Sequence, residues 1–195
     1  MENYLRQRKT MGKSKYMFFV ILITLIFSNS CKTVPREREL IDVQGMIYDT
    51  ENRPVVNYRI FIDSKYVAIT DIGGRFTLSN VKVGVYNFLG SGDGYLNIED
   101  EIKIIDKTQI IYLRIPAVES KFKEAYESLK NNQLDDARKC ITDILKTDEM
   151  NNDALYFMSI IEYLSGNTEL SRKYLGRIKE KDDEYVQKLK KIIDF

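Results

Sequence analysis

The chain has 195 residues, with 30 Lys and Arg against 29 Asp and Glu, no histidine and two cysteines. The missing imidazole removes the commonest general base and metal ligand near neutral pH, and a net charge of +1 leaves no basic footprint for nucleic acid. The length suits one ordinary domain or two small ones.

The charge is unevenly spread. Arg6, Arg8, Lys9, Lys13 and Lys15 stand against Glu2 alone, so the rest of the chain is mildly acidic. An apolar run of 11 residues follows, from Met17 to Phe27. That is too short for a spanning helix, which needs about 20 apolar residues, but it has the proportions of a secretory signal. Met11 offers an alternative start with a compact signal. Small residues Ser28 and Ser30 then lead to Cys31.

This basic, apolar and small-residue order ending at Cys31 resembles a bacterial lipoprotein signal peptide with its lipobox. Ser28, where an apolar residue is usual, and Asn29 depart from the pattern. The resemblance implies that residues 1–30 are removed and that Cys31 carries thioether-linked diacylglycerol, usually with a further acyl chain on its amine. Two or more chains anchor stably, at ~0.8 kcal/mol per buried methylene. An uncleaved signal anchor is the main alternative. Residues 31–39 then read as the lipidated cysteine and a polar tether carrying Pro35. Lys32, in place of the aspartate that marks inner-membrane retention in many lipoproteins, favours the outer membrane. The expected address is the cell envelope, with the membrane as one partner through the lipid.

From Leu40 the apolar period becomes two. Ile41, Val43, Gly45 and Ile47 alternate up to a polar break at Asp49–Pro54. Short β-rich runs recur at 56–62, 66–70, 75–78, 85–89, 102–105 and 109–115, separated by turn residues. With no run suited to a crossover helix, the sheets are expected to be antiparallel. Asp71 is expected to cap a tight turn, Gly74 to supply backbone freedom and Phe76 to re-enter the core. Gly45-x-Ile47-x-Asp49, Pro54-Val55, Thr70-Asp71-Ile72-Gly73-Gly74-Arg75-Phe76, Gly84-Val85-Tyr86 and Gly94-Tyr95 together resemble the carboxypeptidase regulatory-like domain family. That resemblance implies a small antiparallel Greek-key β-sandwich of transthyretin-like topology over residues 40–116, a non-catalytic accessory module with no active site to transfer.

Two ligand readings belong to this stretch. Asp93 with Glu99, Asp100 and Glu101 offers oxygen atoms to calcium, but contiguous carboxylates on a strand alternate in direction, and a solvated, charge-protected edge explains them better. Tyr58, Tyr66 and Tyr95 offer rings for stacking on a glycan, although strand tyrosines are more often core or cross-strand partners.

After Pro116 no proline occurs and the apolar period becomes helical, with helices expected at 120–131, 135–146, 152–165, 168–179 and 183–194. The segment repeats at a spacing of 34: Asn132–Arg138 aligns with Gly166–Arg172, Phe122 with Tyr156, Tyr126 with Ile160, Leu129 with Tyr163, Ile141 with Leu175 and Ile144 with Ile178. Period and pattern resemble tetratricopeptide (TPR) repeats, so residues 119–195 are expected to form an α-helical hairpin-repeat (TPR-like) domain with a final capping helix. Departures are Asn132 for the turn glycine, Ser171 for the packing alanine, Glu149 for a common proline and Glu162 at a usual aromatic. Leu155, Met158 and Ser159 are assigned to packing. Phe122, Tyr126, Leu129, Tyr156, Ile160 and Tyr163 are assigned to a concave groove, either covered by the sandwich or cap or open to a peptide or helix. Cys140 reads as a small core residue.

The sequence therefore points to a two-domain chain, β then α, without cofactor, metal or catalytic residues. Its expected function is a lipid-anchored scaffold that binds an unidentified envelope protein through the helical groove. The alternative is a carbohydrate-binding or adhesive lipoprotein that uses the sandwich surface.

Overall fold

The computed structural model describes residues 40–179 and 183–194. The apolar run, Cys31 and the tether lie outside the described residues. Seven strands come first: β1 (Ile41–Tyr48), β2 (Arg59–Ile62), β3 (Lys65–Ile69), β4 (Arg75–Val81), β5 (Gly84–Ser91), β6 (Ile98–Ile104) and β7 (Ile110–Arg114). They form a three-stranded sheet in the order β4-β1-β7 and a four-stranded sheet in the order β3-β2-β5-β6. The alternation in β1 sends Val43 and Ile47 inward, β4 sends Phe76 and Leu78, and the second sheet answers with Ile60, Ile62, Phe88 and Ile104, all buried. Phe76 and Phe88 meet across the sandwich with ring centroids 6.3 Å apart.

One pairing differs from expectation. Every other pair is antiparallel, but β1 and β7 run parallel, with Gly45 opposite Ile111 and Ile47 opposite Leu113. A parallel pair needs a long connection, usually a helix. Here the intervening strands of the other sheet provide it, so no crossover helix is required. The second expected strand also starts late, at Arg59. Asn57 sits in the left-handed region at φ 57°, while the Tyr58 amide is taken by Thr70 Oγ1 at 2.9 Å.

Two aspartates organise turns in the same way. Asp71 Oδ1 accepts from the amides of Gly73 and Arg75 at 2.8 and 2.9 Å, with Gly74 at φ 71° and Phe76 returning to the core. Asp49 Oδ1 accepts from the amides of Glu51 and Arg53, both at 2.8 Å. A side-chain oxygen thus stands in for the backbone acceptor a tight turn would otherwise lack.

Five helices follow: α1 (Val118–Lys130), α2 (Leu134–Thr147), α3 (Asn152–Leu164), α4 (Thr168–Arg177) and α5 (Glu184–Ile193). The helix starts repeat at the sequence spacing, α1 to α3 and α2 to α4. The turns repeat too. Asn132 and Gly166 both adopt positive φ, 57° and 82°; asparagine tolerates this conformation better than most residues with a Cβ. The next amide closes each turn, Gln133 to the Ser128 carbonyl and Asn167 to the Glu162 carbonyl, both at 2.8 Å. Asn151 caps α3 through Oδ1, accepting from the Ala154 amide at 3.0 Å, and Asp183 caps α5.

The sandwich and the first helical hairpin share one contiguous apolar cluster, running from Val43 and Phe88 to Ala125, Ala137, Cys140 and Ile144. Backbone contacts reinforce the junction. The Leu96 amide donates to the Pro116 carbonyl at 3.1 Å and the Val118 amide to Gly94 at 2.9 Å. A second cluster, with Leu155, Leu175, Ile178, Val186, Leu189 and Ile193, holds α5 against the second hairpin.

Candidate functional site

The six groove residues fall into two sets. Phe122 and Leu129 are half-buried against the larger cluster, and Phe122 meets Phe157 on α3 with centroids 5.4 Å apart. Tyr126, one turn along α1, is 54% exposed, with the Lys130 ammonium 5.9 Å from its ring centroid. Tyr156, Ile160 and Tyr163 are half-buried against the cluster that holds α5. α5 thus occupies the side of the second hairpin towards which these three project, and Tyr126 is the member of the set most open to solvent.

Leu155, Met158 and Ser159 are buried as their spacing implied, and so is Glu162, which sequence reasoning left as an unexplained departure. Its partners explain it. Glu162 Oε1 accepts from Arg138 Nε at 2.8 Å and Oε2 from Asn167 Nδ2 at 2.7 Å, while Arg138 Nη2 reaches Ser165 Oγ at 2.7 Å. Arg172, the repeat equivalent of Arg138, likewise reaches forward to the next helix, donating to Asp194 Oδ1 at 3.2 Å and to the Ile193 carbonyl at 3.1 Å. The signal was present in part: an arginine recurs at the 34-residue spacing, Arg138 reaching Glu162 within α3 and Arg172 reaching Asp194, which caps the end of α5.

The three tyrosines proposed for glycan stacking separate. Tyr58 is fully buried and donates its hydroxyl to the Leu96 carbonyl at 2.7 Å; burial drives its pKa far above the ordinary phenol range. It is a core residue, because Gly90 and Gly92 leave the space its ring fills. Tyr95 is half-buried and edge-on to Tyr58. Tyr66 is 57% exposed and sits edge-on to Phe61 at 5.9 Å.

Glu99, Asp100 and Glu101 lie in β6, on the edge of the four-stranded sheet. Among the described residues there is no group of three or more Cys, Asp or Glu arranged to hold a metal ion. Cys140 is buried, and burial pushes its thiol upward, with the nearby Lys121 ammonium opposing. That environment makes it a poor nucleophile.

A cleft of about 650 Å³ lies where the outer face of the four-stranded sheet meets the C-terminal end of α2. Its floor includes Phe61 and Leu89, its sheet side Asn97 and Glu99, and its helix side Asp143, Lys146 and Thr147. The Asn97 amide donates to Thr147 Oγ1 at 3.0 Å and ties the two walls together. Lys146 pairs with Asp143 at 3.1 Å.

No family model matches the chain, and no curated protein matches it by sequence. Similar solved structures include a DUF3823 family protein from Bacteroides ovatus ATCC 8483, at 11% identity over 41% of this chain and 46% of that one, TM-score 0.34. They also include the major pilin subunit BcpA of Bacillus cereus (D312A form), at 13% identity over 40% and 29%, TM-score 0.32. A third is a cohesin–X-dockerin complex from Acetivibrio cellulolyticus, at 23% identity over 38% and 51%, TM-score 0.28. The aligned part covers about half or less of each of these chains.

Proposed function

We propose that this chain is a non-catalytic protein of the cell envelope, held to a membrane by lipid on Cys31, that binds a protein partner through its helical hairpins. In this reading residues 40–116 are a carboxypeptidase regulatory-like sandwich serving as a rigid platform, and residues 119–195 are two TPR-like repeats with a capping helix. The anchor places both in the envelope, on the outer membrane.

The observation that supports the reading best is the recurrence of the whole hairpin at 34 residues, in helix starts, in the left-handed turns at Asn132 and Gly166, and in the arginines that reach forward. Stacked hairpins of this kind present a continuous lateral surface built from equivalent positions of successive repeats. The surface assigned to the partner is the one carrying Phe122, Tyr126 and Leu129, with Tyr156, Ile160 and Tyr163 continuing it towards α5.

Tyr126 is the position to test, because its exposure separates partner binding from folding. A photo-crosslinking residue at 126 in the full-length chain, in its native membrane, is expected to capture one defined protein. The same residue at the exposed Tyr112 of the sandwich is expected not to capture it. Equal capture from both positions, or none from 126, counts against the helical scaffold.

A further inference from the structure

The cleft between the four-stranded sheet and α2 is used by neither core and is separate from the helical surface. Its floor follows from strand register. Tyr66 of β3 pairs with Phe61 of β2, Phe61 with Leu89 of β5, and Leu89 with Glu99 of β6. Ile60, Ile62, Phe88 and Gly90 are buried on the inner face, so Phe61 and Leu89 lie on the outer one. An aromatic and aliphatic row therefore crosses the whole sheet and ends at a carboxylate.

The chemistry around that row is polar with little net charge. The Asp143 and Lys146 charges cancel in their ion pair, leaving Glu99 as the remaining ionic group of the lining, so an anionic ligand finds no unpaired cation there. The side chains of Ser64, Ser91, Asn97 and Glu99 line the cleft and make no hydrogen bond among the described residues. The volume falls within the ~300–1,000 Å³ typical of ligand sites. The floor of the cleft is the face of the sheet, where the backbone groups of β2 and β5 are already paired on both sides; the open strand edge on the Glu99 side belongs to β6, so an extended peptide would join there rather than lie across the floor.

We propose that this cleft binds a short, neutral oligosaccharide. A pyranose ring presents an apolar C–H face, which Phe61, braced by Tyr66, and Leu89 would cover. It also carries a rim of hydroxyl groups, for which Glu99 is the acceptor and Asn97, Ser64 and Ser91 serve as both donors and acceptors. Thr147, bonded to the Asn97 amide, fixes the helix wall against the sheet. This site is distinct from the helical surface of the preceding section, and either can fail without the other.

The test is binding of the purified full-length chain, in detergent, to neutral gluco-, manno- and xylo-oligosaccharides, with uronic-acid oligosaccharides and an unstructured peptide library as comparison ligands. At least one neutral oligosaccharide is expected to bind with micromolar to millimolar affinity. Glu99→Gln, which keeps an acceptor but removes the charge, is expected to weaken it about five- to tenfold, the difference between a hydrogen bond to a charged group and one to a neutral group. Phe61→Leu, which preserves bulk while removing the ring, is expected to weaken it by a similar factor, and Tyr112→Ala on the other sheet to leave it unchanged. Amide shifts on titration are expected at Asn97, Glu99 and Thr147. Absence of binding to every neutral oligosaccharide, preference for the acidic sugars or peptides, or equal binding by the Glu99 and Tyr112 variants overturns the proposal.

Discussion

Arg138 on α2 and Glu162 on α3 form an ion pair at 2.8 Å in which the carboxylate is 4% exposed and the guanidinium 30% exposed. The asymmetry sets an expectation. Removing the arginine strands a buried carboxylate, whereas removing the glutamate leaves a cation with access to water and to Asp135, which it already contacts at 2.6 Å. Arg138→Met is therefore expected to cost about 3 kcal/mol, the lower end for an uncompensated buried charge. Glu162→Gln, which keeps an acceptor for Arg138, is expected to cost about 1 kcal/mol. Urea denaturation of both variants checks the order, and the opposite order would show that the pair is not the element that locks α2 to α3.

The two hairpins cross by different chemistry at equivalent positions. In the first, Ala125 and Ala137 are fully buried. In the second, Ser171 Oγ donates to the Ser159 carbonyl at 2.7 Å and Ser159 Oγ to the Ser171 carbonyl at 2.9 Å. The position needs a small side chain to allow close approach, and the hydroxyls satisfy themselves. Replacing both serines with alanine is expected to change stability by less than about 1 kcal/mol, since donor and acceptor groups leave together. Ser171→Leu is expected to cost about 2 kcal/mol or more by overpacking the crossing. Thermal and urea midpoints distinguish the two.

Gly90 exists for Tyr58. A Cβ at position 90 would run into the Tyr58 ring and the Ile98 side chain. Gly90→Ala is expected to destabilise by about 1–3 kcal/mol, as overpacked cores do. It should also perturb the Tyr58–Leu96 hydrogen bond at the sandwich–helix junction, visible as a chemical-shift change at Leu96.

The turn aspartates are expected to weaken the sandwich in acid. Burial raises the Asp49 pKa, but hydrogen bonds from Arg53 and the Glu51 amide outweigh it and hold the carboxyl below its ordinary value. The amides of Arg75 and Gly73 depress Asp71 in the same direction. A depressed folded-state pKa contributes stability that is fully present above the unfolded value of about 3.9 and is lost as pH falls through the folded one. Stability is therefore expected to be insensitive to these groups between about pH 5 and 8 and to fall below about pH 4. Asp49→Asn should be less stable at pH 7 and show a shallower acid limb; an unchanged limb would refute Asp49 as a contributor.

Cys31→Ala tests the anchor. The variant is expected to lose metabolic fatty-acid labelling and to leave the membrane fraction, while the purified chain keeps the circular dichroism of its strands and helices. Persistent labelling and attachment would overturn lipidation at this position.

Much of the fold was legible because local physics dictates it. Alternation placed Val43 and Ile47 inward, Asp71 and Gly74 announced their turn, the 34-residue period located the first four helices, and the apolar spacing of Val186 and Leu189 located the fifth. The parallel β1–β7 pair was not legible, since strand partners far apart in sequence leave no local mark. Which of Tyr58, Tyr66 and Tyr95 is a core residue was not legible for a related reason: the space Tyr58 fills is made by Gly90 and Gly92, more than thirty positions away. Glu162 looked like a departure because its partner, Arg138, sits on another helix. For the groove, spacing identified equivalent positions, but packing decided which stay open: Phe122 and Leu129 go against the larger cluster, Tyr156, Ile160 and Tyr163 against the one that holds α5, and Tyr126 stays exposed.

The sequence by itself determined the element types, the switch from period two to a helical period after Pro116, and the repeat, because these depend on side-chain spacing along one stretch of chain. Tertiary structure alone decided the sheet order, the apolar cluster shared by sandwich and first hairpin, and the cleft between Glu99 and Thr147. Those depend on which distant surfaces bury each other, and burial is a property of pairs of elements that no single element encodes.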